Sequence, residues 1–209
     1  RLGVPLFVAL YRRRLNYFLK VKELIDSGVV GEVREVLLEF IQKPYEADKA
    51  GKKNWRIDPS ISGGGYFVDL APHQLDLVLL YLGAVQSFEA NVENRGGWYE
   101  VEDYVDLTMT MRQGAKVKGL WDFSSVDAEE KDRFVIVGAK GSIHFSTFSM
   151  TPIRLQIGGK EEIFDIDKPA VIQTPMISHV SSLLLQGKDD KQALADAVEG
   201  IRIIESILK

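Results

Sequence analysis

Apolar positions along the chain repeat first as a continuous run, then at helical spacing, then at period two. Val4 to Leu10 (VPLFVAL) is nearly all apolar, the pattern of a strand buried on both faces of a parallel sheet. A single parallel strand at that place has no partner. LNYFLKVKELIDSG follows, with Leu15, Phe18, Leu19, Lys22 and Ile25 near helical spacing and Ser27-Gly28 as a stop. Glu32 to Gln42 returns to period two, with Val36, Leu38 and Phe40 on one face. Residues 43–53 are charged and without period, which predicts an exposed loop. The stretch WRIDPSISGGGYFVDLAPHQLDLVLLYLG then leads from three glycines into a helix that stops at Gly83.

Beyond Gly83 the chain alternates. Phe88, Ala90 and Val92 share one face of VQSFEANVENR; Val105, Leu107, Met109 and Met111 share one face of DYVDLTMTMR. KVKGLWDFSSV groups Val117, Trp121 and Phe123, while RFVIVGAKGSIHF and IRLQIGGKEEIFDI read as strand pairs about Gly138–Gly141 and Gly158-Gly159. About six strands in succession predict an antiparallel sheet. Two helices close the chain: TPMISHVSSLLLQG, then KQALADAVEGIRIIESILK with a stripe of Leu194, Val198, Ile201, Ile204 and Leu208. The fold class is therefore α+β: a large open, mostly antiparallel sheet with helices on one face. Its uncovered face suits packing against a partner subunit, so a homo-oligomer is expected.

Composition narrows the function. The 209 residues are ample for a core, and the net charge of −4 lacks the basic excess that nucleic acid requires. No cysteine is present, which removes disulfides and thiolate metal sites and agrees with a reducing, cytoplasmic location. No apolar run reaches the ~20 residues of a membrane span. The first residue is Arg rather than Met, and the chain opens in mid-pattern, so an N-terminal part is expected upstream.

The candidate chemistry lies on the helix after the glycines. At ~100° per residue, Asp69, His73 and Asp76 fall within roughly 60° of arc and can face one cavity. An Asp one turn before a His can accept the imidazole N–H and leave the other nitrogen as acid or base. Two other readings stand beside this one. Asp69 is equally an N-cap with Pro72 in the first turn and His73 a half-buried surface residue. A His with two carboxylates also suits iron or zinc, although no second ligand cluster accompanies it and His144 and His179 lie on other elements. Gly63, Gly64 and Gly65 permit close backbone approach, but position 68 is Val, so they make no G-x-G-x-x-G phosphate loop. Tyr11 and Arg12 follow the first apolar run at its C-terminal end, where ligands gather in α/β folds. Trp55-Arg56 joins an indole to a guanidinium, a pair suited to stacking and anion binding.

The W-R…G-G-G-x-x-x-D-x-x-x-H-x-x-D block resembles the C-terminal half of the glucose–fructose oxidoreductase / inositol dehydrogenase / MocA family. VALYRRR, VKELIDSGVVGEV and FVIVGAKGSIHF support the likeness. The resemblance implies an N-terminal Rossmann domain holding NAD or NADP, then a dihydrodipicolinate reductase-like α+β domain for substrate and subunit contacts. Residues 1–11 would be the last strand of that Rossmann domain, and residues 12–209 the substrate-binding and oligomerisation domain. The implied reaction is hydride transfer to or from a sugar, cyclitol or related hydroxy compound. His73 matches the acid–base histidine, Asp69 its partner, and Asp76 a substrate contact. Trp55 and Arg56 match a cofactor contact, and Tyr11 and Arg12 lie near the substrate; no metal is implied. The family's Glu-Lys-Pro segment and glycine-rich nucleotide loop have no counterpart here, so the piece alone is expected to be inactive. Two rivals share the fold: a sugar-binding dimerisation module without chemistry, and an NAD-dependent glycosidase or lyase.

Overall fold

The computed structural model describes residues 4–209. Eight strands form its frame: β1 (Val33–Ile41), β2 (Val85–Glu93), β3 (Tyr104–Met111), β4 (Lys116–Asp122), β5 (Lys131–Gly138), β6 (Gly141–Phe145), β7 (Ile153–Ile157) and β8 (Lys160–Phe164). They lie in one sheet in the order β2-β3-β4-β1-β5-β6-β7-β8. Every neighbouring pair is antiparallel except β1 and β4, which run parallel with Val36 opposite Val117 and Phe40 opposite Trp121. The first strand in sequence is thus central.

Period-two alternation produces this sheet where one face is covered. Val36, Leu38 and Phe40 of β1, the four predicted residues of β3, and Val117 and Trp121 of β4 are all buried. The β7–β8 turn places both Gly158 and Gly159 at positive φ, 56° and 77°, the conformation that a two-residue hairpin demands. Among the described residues six α-helices accompany the sheet: α1 (Asn16–Asp26), α2 (Glu46–Lys49), α3 (Pro59–Ser62), α4 (Tyr66–Leu82), α5 (Thr174–Leu185) and α6 (Lys191–Ile207). Helix α4 packs on the sheet through Phe67, which meets Trp121 edge-on at 5.0 Å, and through Gln74 Oε1, which accepts the Trp121 indole N–H at 2.6 Å. Helix α6 lies against α4, with Gly200 next to Leu75 and Leu79. The opposite sheet face is laced by cross-strand ion pairs, Lys118–Glu35 at 2.7 Å and Arg133–Glu39 at 2.8 Å. Among the described residues no helix is long and apolar enough to cross a membrane.

Val4–Leu10 has no strand to pair with among the described residues, and Val4 and Leu6 are 74% and 61% exposed; residues 1–3 of the segment read as a Rossmann remnant lie outside the described residues. Other expectations require correction. Helix α1 buries Tyr17, Phe18, Val21 and Leu24, so the predicted face is rotated and Leu19 and Lys22 point outward. Strand β2 alternates but sits at the sheet edge, where Phe88 stays 38% exposed. Residues 43–53 contain α2 and bury Asp48. Helix α6 buries Ala197, Gly200, Ile203 and Ile204, because small residues allow closer helix approach than the bulky stripe does; Val198 and Ile201 remain exposed.

Candidate active site

The three glycines serve the approach to α4. Gly63 ends α3 at φ 80°, in the left-handed region. A Cβ on Gly64 would collide with Val68, and one on Gly65 with the backbone carbonyl of Glu102. This close passage lets Glu102 Oε1 accept the Gly65 N–H at 2.7 Å and satisfy one free donor of the helix start. At Gly64 and Gly65 the side-chain direction is already occupied by protein.

One turn into α4, Asp69 Oδ2 accepts the Arg56 Nε–H at 2.8 Å. Arg56 in turn lies over the Trp55 ring, 4.5 Å from its centroid. The expected Asp69–His73 hydrogen bond is therefore not formed, because the guanidinium is the stronger partner for a carboxylate. His73 stands half-buried, with Tyr11 edge-on at 5.7 Å and Phe148 edge-on at 6.4 Å. Its Nδ1 is buried and has no hydrogen-bond partner among the described residues. Burial lowers the imidazole to about 4; the nearby Arg12 guanidinium adds to the effect and Asp69 opposes it. His73 is thus neutral at pH 7.

Tyr11 and Arg12 are brought to this place by the 3-10 turn Tyr11–Arg14. Arg12 donates to the Tyr11 hydroxyl at 2.9 Å and to the Thr147 carbonyl at 3.2 Å, and its guanidinium covers the Phe148 ring at 4.5 Å. Phe148 is itself held from behind: Asp132 accepts the backbone N–H groups of Thr147, Phe148 and Ser149 at 2.9, 2.7 and 2.7 Å. Five of the seven predicted residues (Tyr11, Arg12, Arg56, Asp69 and His73) therefore share one neighbourhood, with Phe148 at its centre.

Asp76 does not join them, and its expected substrate contact is corrected here. Arg13 grips it with two bonds, Nε at 3.0 Å and Nη2 at 2.7 Å, and also reaches Asp196 of α6 at 2.8 Å. All three side chains are buried, so the cluster ties the 3-10 turn to α4 and α6. Burial pushes the Asp76 carboxyl up to about 6, against the pull of Arg13. Among the described residues no group of three or more His, Asp or Glu is placed to hold a metal ion.

A cleft of about 610 Å³ opens beside Asp69, Arg56 and Phe148, with Phe40, Tyr45, Lys52, Asn54 and Tyr66 among its other walls. His73 adjoins this cleft across Phe148 without lining it. Trp55 lines a second, adjoining cleft instead. Sequence reasoning missed the far wall. There Asp48 accepts the Tyr66 hydroxyl at 2.6 Å and the Asn54 amide at 3.0 Å, a network that fixes the segment before α3. A tyrosine at the start of α4 and an aspartate in an otherwise solvated stretch were its only traces in sequence.

Comparison with known proteins agrees with this architecture. A family model described as the GFO/IDH/MocA C-terminal domain matches residues 18–144. Oxidoreductase P35 of Formosa agariphila is 34% identical over 209 residues, which cover 98% of this chain and 63% of that protein. Trans-1,2-dihydrobenzene-1,2-diol dehydrogenase of Xenopus laevis is 22% identical over 166 residues, 79% of this chain and 47% of that protein. Aldose-aldose oxidoreductase from Caulobacter crescentus, solved with glycerol, superposes with a TM-score of 0.82 at 22% identity, over 98% of this chain and 61% of that one. Levoglucosan dehydrogenase in complex with NADH and levoglucosan gives a TM-score of 0.79 at 18% identity, over 98% and 64%. The chain spans less than two thirds of the length of these relatives, and the two structures establish likeness of fold. With the family model covering more than half of its residues, the chain belongs to the GFO/IDH/MocA family and carries that family's C-terminal domain.

Proposed function

We propose that the full-length protein is an NAD- or NADP-dependent oxidoreductase acting on a sugar, cyclitol or related hydroxy compound, with this chain as its substrate domain. The observation that carries the reading is the unpartnered, neutral imidazole of His73 beside the Asp69–Arg56 cleft. Relatives that act on aldoses and levoglucosan support the substrate class. Residues 1–11 belong in this reading to an upstream Rossmann domain. Val4, Leu6 and Val8 on that segment and Val198 and Ile201 on α6 form exposed apolar surface of the kind another domain covers. A cytoplasmic location and self-association through the open sheet face complete the proposal.

The residues present fit one end of a dinucleotide. Arg56 and Trp55 offer a guanidinium and a half-exposed indole to a planar amide-bearing ring. When bound, the nicotinamide supplies or accepts the hydride. The chain's own residues manage the proton and the position. His73 takes the hydroxyl proton as the carbon loses hydride, and returns it in the reverse direction. Arg12, beside the imidazole, holds the oxygen, and Asp69 hydrogen-bonds a neighbouring hydroxyl. An imidazole held near 4 is a weak base. Engagement of Arg56 by a ligand frees Asp69 to turn its charge toward His73 and raises the imidazole toward its ordinary value.

His73→Ala in the full-length protein is expected to lower kcat by about 10² to 10⁴-fold, the ordinary worth of general acid–base catalysis. A loss smaller than tenfold rules the role out.

A further inference from the structure

The β2–β3 connection contains the sequence NRGGWY, Asn94 to Tyr99, which neither the sheet nor the proposed proton chemistry uses. The loop is nonetheless tightly constructed. Asp103 accepts the backbone N–H groups of Arg95 and Gly96, each at 2.7 Å. Asn94 accepts the Gly97 N–H at 2.9 Å and donates to the Tyr99 carbonyl. Gly97 sits at φ 66°, and a Cβ on Gly96 would strike the Trp98 ring. The loop therefore presents one indole and one phenol in a fixed pose.

Both face a cleft of about 620 Å³. Ile61 on the opposite wall is 66% exposed, a large apolar group left facing water. This second cleft shares Asp48, Lys52, Lys53 and Asn54 with the cleft at Asp69, so the two are continuous. Each lies within the range of about 300–1,000 Å³ that holds one small ligand. Aromatic side chains with a carboxylate and amide rim match a pyranose, whose C–H face packs on a ring while its hydroxyls take hydrogen bonds.

We propose that the second cleft binds the non-reacting ring of a disaccharide or glycoside whose reacting ring occupies the cleft at Asp69. The substrate of the full-length protein is then at least two rings long. This inference rests on the substrate-site reading above. Binding of a remote ring is used to lower the barrier at the reacting carbon, so substrates truncated to one ring lose kcat as well as affinity.

The test is steady-state kinetics of the full-length protein with glucose, galactose, maltose, cellobiose and lactose, each with NAD and with NADP. One disaccharide is expected to exceed its own monosaccharide in kcat/KM by about tenfold, the effect of ~1.4 kcal/mol of added transition-state binding. Trp98→Ala should remove most of that preference and leave the coenzyme KM unchanged, while Trp98→Phe retains it. Ile61→Asp, at an exposed position on the opposite wall, should reduce the preference without touching the loop, and so decides the matter if Trp98→Ala does not fold. Monosaccharides turned over as well as disaccharides, or a preference that survives both Trp98→Ala and Ile61→Asp, overturn the second-ring site and leave the first cleft standing. A raised coenzyme KM in Trp98→Ala assigns the cleft to the cofactor instead. Absence of turnover and of calorimetric binding for all five sugars overturns the sugar part of the substrate reading and this inference with it.

Discussion

Helix α4 carries two polar clusters, one at Asp69 and His73 and one at Asp76 about two turns beyond Asp69, and they are built on opposite principles. At Asp76 every charged group is buried and hydrogen-bonded: one guanidinium serves two carboxylates, and the cluster joins the 3-10 turn, α4 and α6. At Asp69 and His73 the groups border a cleft, the carboxylate is held by a half-exposed arginine, and a buried ring nitrogen has no partner. Buried polar atoms are nearly always satisfied in folded proteins. The satisfied cluster thus accounts for itself as architecture, whereas the other leaves a buried ring nitrogen open to an added group. Residue types do not separate the two; completeness of pairing does.

The contrast can be broken most strongly at its closed end. Arg13→Met strands Asp76 and Asp196 without a cation and is expected to cost about 3–5 kcal/mol in urea unfolding. A cost below about 1 kcal/mol would make the cluster an ordinary surface-like pair.

Next in size is the effect of pH. His73 is held at about 4, below the ordinary value of about 6.5, so the unfolded chain binds the extra proton in that window. Stability from this group is present above pH 6.5 and lost as pH falls toward 4, by up to about 3 kcal/mol. Asp76, raised to about 6, has the opposite sign: its contribution is present below its unfolded value and lost as pH rises through 6. His73→Asn should therefore make the protein relatively more stable at pH 4.5 than at pH 7, compared with the parent. An unchanged pH profile would mean that the imidazole is already solvated.

Gly65→Ala drives a methyl into the Glu102 carbonyl and is expected to cost about 1–3 kcal/mol by thermal or urea denaturation. Gly63→Asn, at an αL position with open space around it, should cost only a few tenths. Equal effects at the two sites would refute close approach as the reason for the run.

The smallest stability effect belongs to the open cluster. Arg56→Gln removes a pair whose side chains are 42% and 30% exposed, and should cost less than about 1 kcal/mol. Its informative readout is the acid limb of the kcat/KM profile of the full-length protein. Freeing Asp69 should move that limb to higher pH, and a static limb would show that Asp69 does not act on His73.

Much of the architecture was legible in the chain. The four inward residues of β3, the glycine-marked turns of β5–β6 and β7–β8, and the stop of α4 at Gly83 all follow from local periodicity and turn chemistry. The D-x-x-x-H spacing correctly put Asp69 and His73 on one side of α4. It erred in adding Asp76. Angle around a helix places the three together, but seven residues of rise separate Asp69 from Asp76 by about 10 Å along the axis. Over that distance the surroundings change from the cleft to the packed junction with α6.

The sequence by itself determined the α+β class, the strand and helix succession, and the helix that bears His73, because these depend on neighbours two to four residues apart. Only the tertiary structure decided which partner each ionisable group takes. Arg56 claimed Asp69, Arg13 claimed Asp76, and Asp48 crossed to Tyr66 and Asn54. Pairings between distant segments depend on distance and desolvation in the packed chain, and no local pattern carries either.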